Sequence, residues 1–197
     1  DESEQKQWKN SIEAGNLYIN RGITGAIVSR QPFGGMKRSA FGGGIKAGGP
    51  NYVSCFVKIE NSAEAAKLQS ENIETRYKAF AGVLRNEEKV MYENAVASYR
   101  QNFENEFSVE RDIHNLYGEQ NIFRYLPLKN MVLRVQPNDK LVDILMIVTA
   151  AEIARTPLFI SIDAENENLN ALKMLFTDKI KTQNEETFVQ EMDKYER

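Results

Sequence analysis

NMVLRVQPNDKLVDILMIVTAAEIARTPLFISI, residues 130–162, carries two hydrophobic periods in succession. NMVLRV (130–135) and LFISI (158–162) are short apolar runs with β-branched residues and read as strands. Between them, residues 139–155 place Leu141, Leu145 and Val148 on one face at helical spacing. Strand, helix and strand within about 30 residues predict a right-handed parallel βαβ unit. The expected class is therefore mixed α/β. Parallel sheets are covered on both faces, so this end of the chain is expected to be cut short of its full sheet.

Outward from that unit the pattern is helical. Leu169, Leu172, Phe176 and Ile180 stripe a further helix, and residues 188–195 could form another. Upstream, Asn61 and Glu64 have capping-box spacing and open a helix with no glycine before Gly82. Its apolar stripe is Ile73, Tyr77, Phe80 and Leu84, and a second stripe runs through Tyr92, Val96, Tyr99, Phe103 and Phe107. Aromatics at that spacing read as core rather than as cofactor contacts. Three segments follow: 1–60, a helical connector over 61–125, and a Rossmann-like segment over 126–197.

The first segment differs in kind. Ten of the 12 glycines lie between Gly15 and Gly49, in GNLYINRGITGAIVSRQPFGGMKRSAFGGGIKAGGPNYV (15–53). Such density marks a backbone that turns tightly or lies close against something else. Residues 3–14 read as a short helix with Trp8 and Ile12 on one face, and Gly15 as its C-cap. Residues 17–20 alternate as a strand, residues 22–50 form a long loop, and YVSCFVKI (52–59) reads as a strand. Thr24, Gly25 and Ala26 make a turn poor in side chains, whose N–H groups suit a carboxylate. Pro32 and Phe33 set a stiff turn and one aromatic beside it, and Gly34 and Gly35 permit close approach. On spacing alone, a structural crossover between two strands is the more economical reading.

Composition narrows the function. Residues 1–60 hold 8 basic and 5 acidic groups against a chain total of −3, a mild excess that suits an anionic substrate. Nucleic acid would need a basic stripe, which is absent. One cysteine excludes an internal disulfide framework and fits a reducing, cytoplasmic compartment. No apolar run reaches the ~18 residues of a membrane span. DESEQKQWKN at the start lacks the regions of a signal peptide and an initiator Met, as expected of a piece of a longer polypeptide.

The 15–59 stretch resembles the end of the catalytic domain of aldehyde dehydrogenases, specifically the glutamate-γ-semialdehyde (pyrroline-5-carboxylate) dehydrogenase branch. AGNLYIN, QPFGG and KAGGPNY carry the likeness. SYRQNFENEF and YGEQNIFRYLP more weakly resemble the region that follows it in bifunctional proline-utilisation enzymes. The resemblance implies that Gly25 and Ala26 anchor the substrate's α-carboxylate through backbone N–H groups and that Phe33 packs on its aliphatic chain. Ala26 stands where some relatives carry Ser, which leaves backbone donors only. Tyr52, Val53, Cys55, Val57 and Ile59 match the family's oligomerisation strand. NAD is implied as cofactor, held by missing parts of the same polypeptide, with FAD if a proline dehydrogenase domain precedes.

The family's nucleophile lies in Gly-Gln-x-Cys and its base in Glu-Leu-Gly-Gly; neither motif occurs here. No catalytic residue is therefore assigned, and the chain alone is expected to be inactive. Cys55 reads as a packed thiol, since reactive thiols need an electropositive setting. His114, the only histidine, has no recognisable Ser or Cys partner and reads as a solvated or capping residue. No zinc set exists in a chain with one His and one Cys. The first turn of the βαβ unit, Gln136 to Asp139, has no glycine and an acid where phosphate would sit, so NAD binding there is not expected. Two other classes stay open: a non-catalytic assembly or lid module, and a nucleotide-sensing domain, which the missing glycines disfavour.

Overall fold

A computed structural model of the chain describes residues 1–23, 25–40, 44–58 and 73–196. Thr24, Gly42, Gly43, Ile59 and the Asn61–Glu64 capping pair lie outside the described residues. In chain order the elements are α1 (Glu2–Ser11), α2 (Thr75–Gly82), α3 (Asn86–Asn102), β1 (Arg111–Asp112), β2 (Ile122–Phe123), β3 (Met131–Val135), α4 (Leu141–Ile153), β4 (Leu158–Ile162), α5 (Leu169–Leu175), β5 (Ile180–Thr182) and α6 (Glu185–Glu191). The chain divides into two compact units, Asp1–Ala63 with Glu110–Phe123, and Glu64–Val109 with Arg124–Arg197.

The second unit contains the expected βαβ arrangement. β3 and β4 pair in parallel, with Met131 opposite Leu158 and Val135 opposite Ile162. Alternation puts Leu133, Val135, Leu158, Ile160 and Ile162 on the core face. α4 is buried over most of its circumference, with Leu145 and Val148 inside as their spacing predicts and Leu141 partly buried. Each fully buried aliphatic side chain of this kind contributes about 2 kcal/mol. Ile73, Tyr77 and Phe80 join the same core, with Leu84 packed against it. Of the second aromatic stripe, Tyr92 and Val96 are fully buried, whereas Phe107 is exposed and meets the Tyr125 ring edge-on at 5.0 Å.

Ile180 corrects the expected helix. α5 stops at Leu175 because Phe176 leaves helical geometry to bury its ring 5.0 Å from Phe80. Ile180 then opens a third parallel strand, β5, opposite Ile160. The last helix starts earlier than expected, at Glu185, because Asn184 caps it by accepting the Thr187 N–H at 2.9 Å.

In the first unit, α1 forms as expected, but its cap is not Gly15. The helix ends at Ile12, which turns extended while its N–H reaches the Trp8 carbonyl at 3.0 Å. Residues 17–20 do not form a strand, and Asn20 takes a left-handed conformation at φ 57°. Residues 22–50 run as the expected loop wherever they are described, relieved by a 3-10 turn at Lys37–Ser39.

Tyr52–Phe56 is a 3-10 helix rather than the expected strand. The Tyr52 N–H reaches the Gly49 carbonyl at 3.1 Å, and the Ser54 N–H reaches the Asn51 carbonyl at 3.2 Å. Local bonds satisfy these donors because no described strand of the chain pairs with them. Nor is the 61–125 connector helical throughout, for β1 and β2 form an antiparallel pair with Arg111 opposite Phe123.

Candidate functional site

Two glycines show why the loop needs them. A Cβ on Gly15 would lie 1.9 Å from the Gly34 carbonyl oxygen, so the two arms of the loop touch backbone to backbone. A Cβ on Gly34 would lie 2.6 Å from Lys46 Cγ. Lys46 runs between those arms. Its ammonium donates to the Gly15 carbonyl, to Asn16 Oδ1 at 2.9 Å and to the Gly34 carbonyl at 3.2 Å. Burial pulls the Lys46 pKa below the ordinary lysine range.

A second contact set fixes the middle of the loop. Ile27 and Gln31 exchange both backbone hydrogen bonds, at 3.1 and 2.8 Å, closing a tight turn with Ser29 at φ 56°. The Ser29 N–H donates to the Gly48 carbonyl at 2.8 Å. The bridge closes the chain between Ala26 and Pro32, so the small turn and the aromatic both leave from its base. Gly25 and Ala26 are exposed, and the space beside Gly25 is empty to 4 Å. Pro32 is buried, while the Phe33 ring remains 39 % exposed. An open small turn and an accessible aromatic thus stand on a braced base.

Residues 110–123 supply a bracket that periodicity did not reveal. Glu119 takes Arg30 and, at 3.5 Å, Arg21, and it accepts the Asn121 side-chain amide at 3.1 Å. The Asn121 bond, then that of Arg30, holds the Glu119 carboxyl below the usual range. His114 Nε2 lies 2.8 Å from Ser29 Oγ, so the histidine does have a serine partner, contrary to the sequence reading. Among the described residues no acid orients the pair: Asp112 accepts the backbone N–H groups of His114, Asn115 and Asn121 instead. It reads as a loop tie rather than a nucleophile and base.

Cys55 is exposed, which corrects the packed-thiol expectation; the 3-10 turn displays its side chain where a strand would alternate inward. Tyr52, Val53 and Val57 are likewise exposed. A depression of about 270 Å³, lined by Trp8, Tyr18 and Ile19 among others, involves none of Gly25, Ala26 and Phe33. Among the described residues, no group of three His, Cys, Asp or Glu side chains could hold a metal ion.

The βαβ turn does not fit a dinucleotide. Asp139 Oδ2 accepts the Gln136 N–H at 2.7 Å, and the side chains of Asn166 and Asn168 close on the carbonyls of Gln136 and Asp139. The Gln136 N–H, a donor of the kind that would meet a pyrophosphate, is thus already faced with a carboxylate.

The comparisons bear on the glycine-rich unit. Residues 1–61 match the aldehyde dehydrogenase family. The chain is similar to the 1-pyrroline-5-carboxylate dehydrogenase of Bacillus subtilis (strain 168), at 47% identity over 57 residues, which are 29% of this chain and 11% of that protein. The enzymes of the same name from Bacillus thuringiensis (strain Al Hakam) and Bacillus mycoides (strain KBAB4) are each 46% identical over 56 residues, 28% of this chain and 10% of theirs. The chain therefore spans about a tenth of the length of these curated relatives. No solved structure matches it. Among the described residues, no helix is long and apolar enough to cross a membrane.

Proposed function

We propose that this chain is the C-terminal part of an NAD-dependent dehydrogenase that oxidises L-glutamate γ-semialdehyde, the open form of pyrroline-5-carboxylate, to glutamate in cytoplasmic proline catabolism. The observation that carries this reading is the 47% identity over 57 residues to an enzyme of that name, beside the family match over residues 1–61, which include the loop that displays Gly25, Ala26 and Phe33. The N–H groups of Gly25 and Ala26 hold the α-carboxylate, and the Phe33 ring covers the aliphatic chain. NAD and the reacting Cys and Glu belong to the rest of the polypeptide, as would FAD in a preceding proline dehydrogenase domain. Segments 1–60, 61–125 and 126–197 act as the anchor, the connector and a non-catalytic Rossmann-like tail.

Exposed apolar groups favour an assembly role beside anchoring. Val53 and Phe56 are 68% and 74% exposed, and covering such surface is favourable. Tyr52, Val53, Cys55, Val57 and Ile59 form the proposed contact to a neighbouring subunit or an internal substitute for one.

A chimera tests the anchor: residues 1–58 replace the homologous stretch of the B. subtilis enzyme, and NADH formation from pyrroline-5-carboxylate is followed. Turnover is expected. Gly25→Val in that chimera adds bulk where the loop has free space. It should raise KM about tenfold, the scale of one lost hydrogen bond to a charged group. An active chimera indifferent to Gly25→Val would end the anchor assignment.

A further inference from the structure

We infer that Lys46 is the positioning residue of the substrate anchor: its ammonium staples the 15–16 arm to the 34 arm and so places Phe33 relative to the Gly25–Ala26 turn. The inference rests on the anchor reading above and adds the residue that sets its shape.

The geometry is specific. An ammonium has three donors, and Lys46 finds three oxygens, on Gly15, Asn16 and Gly34. Two are main-chain carbonyls, so the staple acts on the path of the backbone. Asn16 extends it, its side-chain amide donating to the Pro32 carbonyl at 3.2 Å, one residue before Phe33. The segment after Lys46 repeats the function: the Gly49 N–H returns to the Lys46 carbonyl at 2.9 Å, and Gly48 holds Ser29 through its carbonyl. Gly48 sits at φ 72°, and a Cβ there would lie 3.2 Å from Val28 Cα. Residues 46–49 thus grip three points of the loop: its start, the tip of the Ile27–Gln31 turn, and the residue after Phe33. With its donors spent on protein oxygens, Lys46 does not itself bind the substrate carboxylate. A methionine of similar reach would leave three oxygens without their shared donor.

The test uses the full 197-residue chain, labelled for amide NMR and titrated with glutarate, a five-carbon dicarboxylate standing in for the substrate. In the unsubstituted chain, the Gly25 and Ala26 amides should shift. Lys46→Met should weaken glutarate binding about tenfold and speed amide exchange at Asn16 and Gly34, and Lys46→Arg should recover part of the loss. Asn16→Ala, which removes one acceptor and keeps the cation, should weaken binding about threefold and guards against misfolding of the Met variant. Unaltered glutarate binding in both Lys46→Met and Asn16→Ala would overturn the staple while leaving the anchor standing. An unsubstituted chain whose Gly25 and Ala26 amides ignore glutarate would remove the anchor, and the positioning role with it.

Discussion

Tyr92 Oη and Thr149 Oγ1 lie 2.6 Å apart, both fully buried, and join α3 to α4 inside the second unit. A polar pair in such a place is tolerable only while each satisfies the other. Tyr92→Phe strands the threonine hydroxyl, and Thr149→Val strands the phenol, at a cost of about 1–3 kcal/mol each. The double substitution removes both needs together and should be less destabilising than the sum of the singles by about 1 kcal/mol. Urea unfolding followed by circular dichroism measures the cycle. Strict additivity would show that the bond contributes nothing beyond its two partners.

The same phenol makes the second unit sensitive to alkali. Burial pushes the Tyr92 pKa up to about 12, against the smaller opposing effect of the Thr149 hydrogen bond. The unfolded phenol ionises near 10, so between pH 10 and 12 the folded chain binds more protons than the unfolded one. Stability is therefore full below pH 10 and falls as pH rises through that window, by up to about 2 kcal/mol from this residue. Burial raises Tyr77 and Tyr99 as well, so Tyr92→Phe should flatten the alkaline slope without abolishing it. An unchanged slope in that variant would contradict the assignment.

What could be read from the sequence follows the range of the interactions. β3, α4 and β4 were legible because each is specified by its own period, and Leu145 and Val148 lie inside as that period requires. Tyr77 and Phe80 were legible for the same reason, whereas Ile73 is buried from a position ahead of α2 rather than on the helix its spacing implied. β5 was not: Ile180 lies four residues after Phe176, a helical spacing, and only the free edge of β4 makes it a strand. Tyr52–Phe56 has strand composition, yet with no partner strand among the described residues its backbone closes on itself. The Glu119 and His114 ties have no periodic signature, since they join residues about 90 positions apart through side-chain charge and hydrogen bonding. At the candidate site, Gly25, Ala26 and Phe33 stood out through glycine density and family likeness. Lys46 did not, because its importance comes from three oxygens that folding alone brings to it.

The glycines of the first unit divide into those that packing requires and those it does not, which gives a contrast within one loop. A Cβ on Gly35 would lie 2.3 Å from the Ser39 carbonyl oxygen and 2.4 Å from Ser39 Oγ. Ser39 cannot easily withdraw, because its hydroxyl donates to the Met36 carbonyl at 2.7 Å and accepts the Met36 N–H at 3.2 Å. Gly35→Ala should therefore destabilise the unit by about 1–3 kcal/mol, the usual range for forced overpacking. Gly25→Ala meets nothing within 4 Å and should change stability by less than about 0.5 kcal/mol. Trp8 is the only tryptophan and belongs to this unit, so its fluorescence during denaturation reports on the unit alone. Equal midpoints for the two alanine variants would mean that the 35–39 turn does not hold the close contact seen here. A lower midpoint for Gly35→Ala alone would establish that this bend is set by backbone proximity, while the small turn at Gly25 is left open for something other than packing.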